Sequence, residues 1–220
     1  MTALTLATTP NDSSRIPRAL PWRRMVLVTW LQHRGALIGA AVLFGAVTLY
    51  LAIMGLIIHH AWDVSAACHP ASSLTCQKLG NSFSEHWRTG ATIAIPLQLL
   101  PALVGAFVGA PVLAREMETG TFRYAWTQGF ERTRWIVAKM ALIGASLAVI
   151  AGAFGVLANW YFGPLVADGQ LIPLDPRIFD LEGSAFLGWV LAAFAIGAFA
   201  GMLIRRVVPA MATAMAVVGG

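Results

Sequence analysis

The stretch "REMETGTFRYAWTQGFERTRW", Arg115 to Trp135, sets four arginines and three glutamates among Phe122, Tyr124, Trp126, Phe130 and Trp135. Long apolar runs flank it on both sides, in a chain that is 58% hydrophobic and only 11% charged. Charges of both signs mixed with aromatics suit a surface that meets another protein, where aromatics and Arg are enriched. Arg115, Glu116, Glu118, Gly120, Thr121, Tyr124, Trp126, Gln128, Phe130, Arg132, Arg134 and Trp135 are the candidate docking residues. Gly120 and Gly129 break the stretch into short pieces. The plainer alternative is a loop that merely connects two helices. Such a loop would need neither the aromatics nor the glutamates.

A second polar cluster lies in "HHAWDVSAACHPASSLTCQKLGNSFSEHWRTG", His59 to Gly90. It holds both cysteines, Cys68 and Cys76, with His59, His60, His69 and His86. A disulfide between the cysteines is expected if the loop faces an oxidising compartment, provided the narrow geometry of such a bond is met. The His and Cys spacing matches no zinc pattern, so no metal site is assigned; a solvated cap is the alternative. A third loop, "GPLVADGQLIPLDPRIFDLEG", carries Asp168, Asp175, Asp180 and Glu182 between turn residues and suggests no catalysis.

Several chemistries are missing. A phosphate-binding loop requires Gly-x-x-x-x-Gly-Lys, and the two lysines, Lys78 and Lys139, follow Gln77 and Ala138. ATP hydrolysis by this chain is therefore not expected, and no cofactor is assigned to it. The centres of the apolar runs carry no carboxylate, His or Lys of the kind that relays protons in ion-coupled transporters. The net charge of +5 is explained below by topology and gives no argument for nucleic acid.

The elements that hold these clusters are apolar and long. A mean hydropathy of +0.71 belongs to a membrane protein. Runs at about 36–58, 91–114, 136–162 and 184–204 each reach the roughly 20 helical residues that cross a hydrocarbon core. They are continuous rather than alternating, which predicts helices and not barrel strands. A partial fifth run covers 207–220; the chain is expected to continue beyond it, the alternative being a short or re-entrant last span. The predicted fold is thus all-α: a polytopic transmembrane helical bundle forming a single transmembrane domain over 1–220. Residues 1–14 read as a disordered tail. Residues 15–34, with Trp22 and Trp30 among arginines, read as an interfacial helix or, equally, a simple juxtamembrane anchor. Glycines four apart, Gly35/Gly39, Gly105/Gly109 and Gly197/Gly201, predict close helix packing and leave room for a dimer face. Pro96, Pro101 and Pro111 predict kinks in the second run, either static or lining a path.

The basic residues alternate between the ends of these runs. Arg15, Arg18, Arg23, Arg24 and Arg34 precede the first; Arg115, Arg123, Arg132, Arg134 and Lys139 lie between the second and third; Arg205 and Arg206 follow the fourth. The other two loops hold only Lys78, Arg88 and Arg177. Basic residues favour the cytoplasmic side, so the N-terminus and the Arg115–Trp135 stretch are expected inside, and the cysteines outside.

With that placement, "REMETGT", "WTQ" and "RTRWIVAK", in this order between two spans, resemble the cytoplasmic loop of ABC-2-type transporter permeases, in particular an actinobacterial-style subgroup. The matching positions are Arg115, Glu116, Glu118, Gly120, Thr121, Trp126, Thr127, Gln128, Arg132, Arg134, Trp135 and Lys139. The Arg/Trp-rich N-terminal helix, the span pattern and "RRVVPAMA" at Arg205–Ala212 extend the resemblance over most of the chain. It implies that the stretch between spans two and three is a coupling helix that contacts a separate ABC ATP-binding subunit, which binds ATP and Mg. It also implies a second permease copy, identical or not, in the bilayer of a bacterial plasma membrane. An exporter of amphipathic or hydrophobic cargo, such as a drug or lipid, follows as the expected function. Such permeases usually have six spans, against four and a partial fifth here. The alternative is a non-transporting membrane module: an immunity, sensor or scaffold protein.

Overall fold

The computed structural model describes residues 22–70, 72–120, 132–169 and 176–220. Every regular element among them is helical. In order they are α1 (Trp22–Ala66), α2 (Leu74–Thr92), α3 (Ala94–Leu97), α4 (Leu100–Val104), a π-helical turn (Gly105–Gly109), α5 (Ala110–Thr119), α6 (Arg132–Ala167), α7 (Pro176–Phe179), α8 (Gly183–Ile204) and α9 (Val207–Gly219). Four stretches are long and apolar enough to span a bilayer: Leu37–Ala66, Ala94–Glu118, Ile136–Ala167 and Gly183–Ile204.

The expected interfacial helix and the first span are, from Trp22 onward, one uninterrupted helix of 45 residues. At 1.5 Å per residue it is about 68 Å long, well beyond a hydrocarbon core. Gly35 does not stop it, because a single helical glycine costs only about 1 kcal/mol. Residues 1–14, and the start of the predicted interfacial helix up to residue 21, lie outside the described residues.

Span two is the broken one. Pro96 is followed by tight turns, with Gln98 N–H donating to Ile95 O at 3.2 Å and Leu99 N–H to Pro96 O at 3.2 Å. Pro101 and Pro111 sit in the first turns of α4 and α5, where a missing N–H is tolerated. The π-helical turn lies immediately before Pro111. A proline ring clashes with the carbonyl four residues back, here that of Phe107, and a widened turn removes the clash.

This broken span is also the most enclosed, with 72% of its apolar window buried against 22% to 39% for the other spans. It packs on α8 backbone to backbone. A Cβ added to Gly105 would lie 2.7 Å from Ala193 O, and one on Gly109 2.6 Å from Phe194 O. Reciprocally, Cβ atoms on Gly197 and Gly201 would collide with the carbonyl oxygens of Gly105 and Ala110. Two of the glycine pairs thus face each other within this chain, and dispersion between the close backbones replaces the hydrophobic effect that lipid removes. Gly35 and Gly39 have open space around them.

Phe44 of α1, Phe154 of α6 and Phe186 of α8 close the core, with ring centroids 4.5 to 6.2 Å apart. Gly155 lies against Gly183, and Gly144 against Phe194, so α6 and α8 run antiparallel. Phe44 with Phe154 and Gly55 with Trp160 set α1 and α6 parallel. The spans therefore alternate in direction, and large apolar side chains such as Val42, Leu49, Leu56, Val149, Val156 and Phe199 point outward. Such a belt suits lipid and not water.

Candidate functional site: the polar end of spans two and three

The end of α5, the starts of α1 and α6 and the junction of α8 with α9 share one end of the bundle. Gly120 terminates α5 in the left-handed conformation, φ 69°, which glycine adopts without a Cβ penalty. Its place in the stretch thus has a backbone reason. Arg205 ends α8 the same way at φ 58°, with its N–H on Gly201 O. The turn from α8 to α9 is only Arg205 and Arg206.

Of the predicted docking residues, Arg115 and Glu118 are exposed at the end of α5. Glu118 Oε2 accepts the backbone N–H of Val207 at 3.3 Å. It places negative charge where the first turn of α9 has unpaired donors. Glu116 is turned inward and is only 8% exposed. Its Oε1 is paired with the ammonium of Lys139, which is 2% exposed. Lys139 Nζ also donates to Val112 O at 3.2 Å. Glu116 Oε2 is buried with no hydrogen-bond partner among the described residues. Arg132, Arg134 and Trp135 form the first turn of α6. Thr121, Tyr124, Trp126, Gln128 and Phe130 lie outside the described residues.

Sequence reasoning grouped Glu116 with the exposed glutamates and did not pair it. One signal was available: Lys139 is a lone base inside the third apolar run, and a cation there needs an anion. Position 116 lies one helical turn beyond Val112, and side chains four apart share a face.

At the opposite end, Cys68 and Cys76 form a disulfide with Cα atoms 5.6 Å apart. The segment between His59 and Gly90 is not a plain loop. α1 continues to Ala66, and α2 packs back on it through Trp62 and Phe83, ring centroids 5.4 Å apart. The inward positions of α2 include Cys76, Leu79 and Phe83, a helical stripe diluted by polar neighbours. His59 stacks on Trp160 at 4.5 Å and bonds to Trp160 O at 3.0 Å. Both cysteines are consumed by the disulfide, and among the described residues no three of His, Cys, Asp and Glu converge as metal ligands. In the third loop, Asp180 accepts the Nε1–H of Trp189 on α8 at 3.0 Å. Burial pushes the Glu182 carboxyl above the usual carboxylate range.

On the flank of the bundle, a cleft of about 370 Å³ opens between α1 and span two, lined by Gly39, Leu43, Phe44, Leu103, Val104 and Phe107 among others.

Four alternating apolar spans, an outward apolar belt and one arginine-rich end define a multi-pass helical membrane protein. Residues 29–220 match the ABC-2 membrane transporter related family. The chain belongs to that family and is an ABC-2-type permease. Among curated proteins and among solved structures, none matches.

Proposed function

We propose that this permease is the membrane-spanning subunit of an ATP-driven exporter. A separate ATP-binding subunit, holding ATP and Mg²⁺, docks on the end that carries Arg115, Glu118 and the 120–135 segment. The observation that supports this most is the contrast between buried and exposed charges at the roots of that segment. Glu116 and Lys139 are locked inside the bundle, while Arg115 and Glu118 face outward beside a stretch rich in aromatics. Rooted ends with an exposed face suit a segment that receives force from a partner.

This end is cytoplasmic in the proposal, because Arg34, Arg115, Arg205 and Arg206 gather there, and the disulfide at the other end suits an oxidising space. The membrane is the plasma membrane of a bacterium. A second permease copy completes the path, and the cargo is amphipathic or hydrophobic. The apolar cleft beside α1 is shaped for an apolar tail.

Co-purification tests this reading. Glu118→Arg reverses an exposed charge, and it is expected to weaken recovery of the ATP-binding chain from native membranes while the permease stays folded. Undiminished recovery and transport would refute it. A folded, unsubstituted permease that never brings down an ATP-binding chain would favour the non-transporting module instead.

A further inference from the structure

Glu116 and Lys139 are the buried charged residues among those described, and both lie within the apolar spans. A buried ion pair is weak evidence for stability, since well-packed apolar residues often serve as well. A role in fixing register or in switching is the better-attested reason for keeping one.

The geometry defines what this pair fixes. Lys139 is held twice from α5, by the Val112 carbonyl and by the Glu116 carboxylate one turn further on. Glu118, two residues beyond, holds the start of α9 through Val207 N–H. The alanine face of α5, Ala110 and Ala114, packs on Ala210 with Ile204, Val207 and Met211 around it. Three spanning or apolar elements thus meet along α5, directly before the docking segment. Packing that is only apolar lets helices slide in lipid. A charge pair bonded at two points in a low-dielectric site resists sliding, because separation leaves a buried charge unpaired.

We propose that Glu116 and Lys139 are positioning residues that act as a transmission pin: they make α5 and α6 move as one when the ATP-binding subunit displaces the 120–131 segment. The proposal rests on the docking reading above. The pin does not touch the partner. It converts a push on one loop into a joint movement of spans two and three, and Glu118 passes part of it to α9.

The test uses the complex of the full chain with its ATP-binding subunit in phosphatidylethanolamine–phosphatidylglycerol nanodiscs. Nitroxide labels are placed at V42C on α1, which the pin does not hold, and V137C on α6, both outward-facing positions, and the label distance is read with and without ATP–Mg²⁺. Cys68 and Cys76 are already joined and leave the labelling specific. In the unsubstituted pair, ATP shifts the distance. In E116Q and K139M the ATP-binding subunit still co-purifies, and the shift is lost. The exchange E116K/K139E restores it, which a merely space-filling role would not predict. If the single variants fail to fold, the apolar pair E116L/K139M, which leaves no charge unpaired, is expected to assemble and to lose the shift. A full shift in E116Q, K139M or E116L/K139M overturns the proposal. So does an exchange variant that assembles without regaining the shift, or an unsubstituted complex that shows none. Failure of the unsubstituted chain to assemble at all overturns the docking reading itself.

Discussion

At the scale of single residues, Glu182 shows how burial sets a charge. It stands one residue before α8, and burial holds its carboxyl above the usual range. A carboxyl with a raised folded pKa binds its proton more tightly in the folded chain than in the unfolded one. Its contribution to stability is fully present below the unfolded pKa and is lost as pH rises through the folded pKa. Glu182→Gln removes that dependence. The variant is expected to melt above the unsubstituted protein near pH 7.5, with the difference vanishing as pH falls below the ordinary carboxylate range. A thermal melt series across pH in detergent checks this. The partnership of Glu116 and Lys139 belongs to the same scale. It was only half legible in the sequence, because Lys139 announced a need for an anion while three glutamates lay near enough in the chain to supply it. Only the helical phase of α5, which turns 116 inward and 115 and 118 outward, distinguishes them.

At the scale of elements, the four spans were readable because an apolar run of about 20 residues has few other folded solutions. Their ends were less so. α1 runs on through His59, His60 and Asp63 to Ala66, and α6 passes Pro164, since neither polar residues nor one late proline forces a helix to stop. α2 was missed because its inward stripe is only a few residues wide. The glycine pairs were visible as a spacing, yet the spacing does not say which helix each pair meets. The contacts do, and they give a prediction. Gly197→Leu drives a side chain into the Gly105 carbonyl, and overpacking of this kind costs about 1–3 kcal/mol or more. Gly39→Leu enters open space and should leave the melting temperature nearly unchanged. Paired thermal melts of the two variants check this. Equal losses in both would mean that the tight span-two and α8 contact does not form.

At the scale of the whole molecule, the chain is an asymmetric object in a membrane. One end carries a disulfide-clipped α2, and the other carries Arg34, Arg115, Arg205, Arg206 and the segment proposed to dock the ATP-binding subunit. This asymmetry predicts an orientation. A cysteine placed at Lys78 should react with an impermeant thiol reagent in intact cells. One placed at Arg206 should react only after the membrane is opened. The reverse pattern would invert the topology and remove the docking face from the ATP-containing side. The family and the helical bundle account for how such a chain sits in lipid, while cargo choice depends on side chains lining a path that a second copy completes in this proposal.

The central claim is that the polar end receives an ATP-binding subunit. Site-specific photo-crosslinking in native membranes tests it most directly, with a photoreactive amino acid at position 115 and, as a control at the disulfide end, at position 74; both residues are exposed. Position 115 is expected to capture a chain that contains a phosphate-binding loop, and position 74 is not. Capture at neither position, or equally at both, would contradict the account.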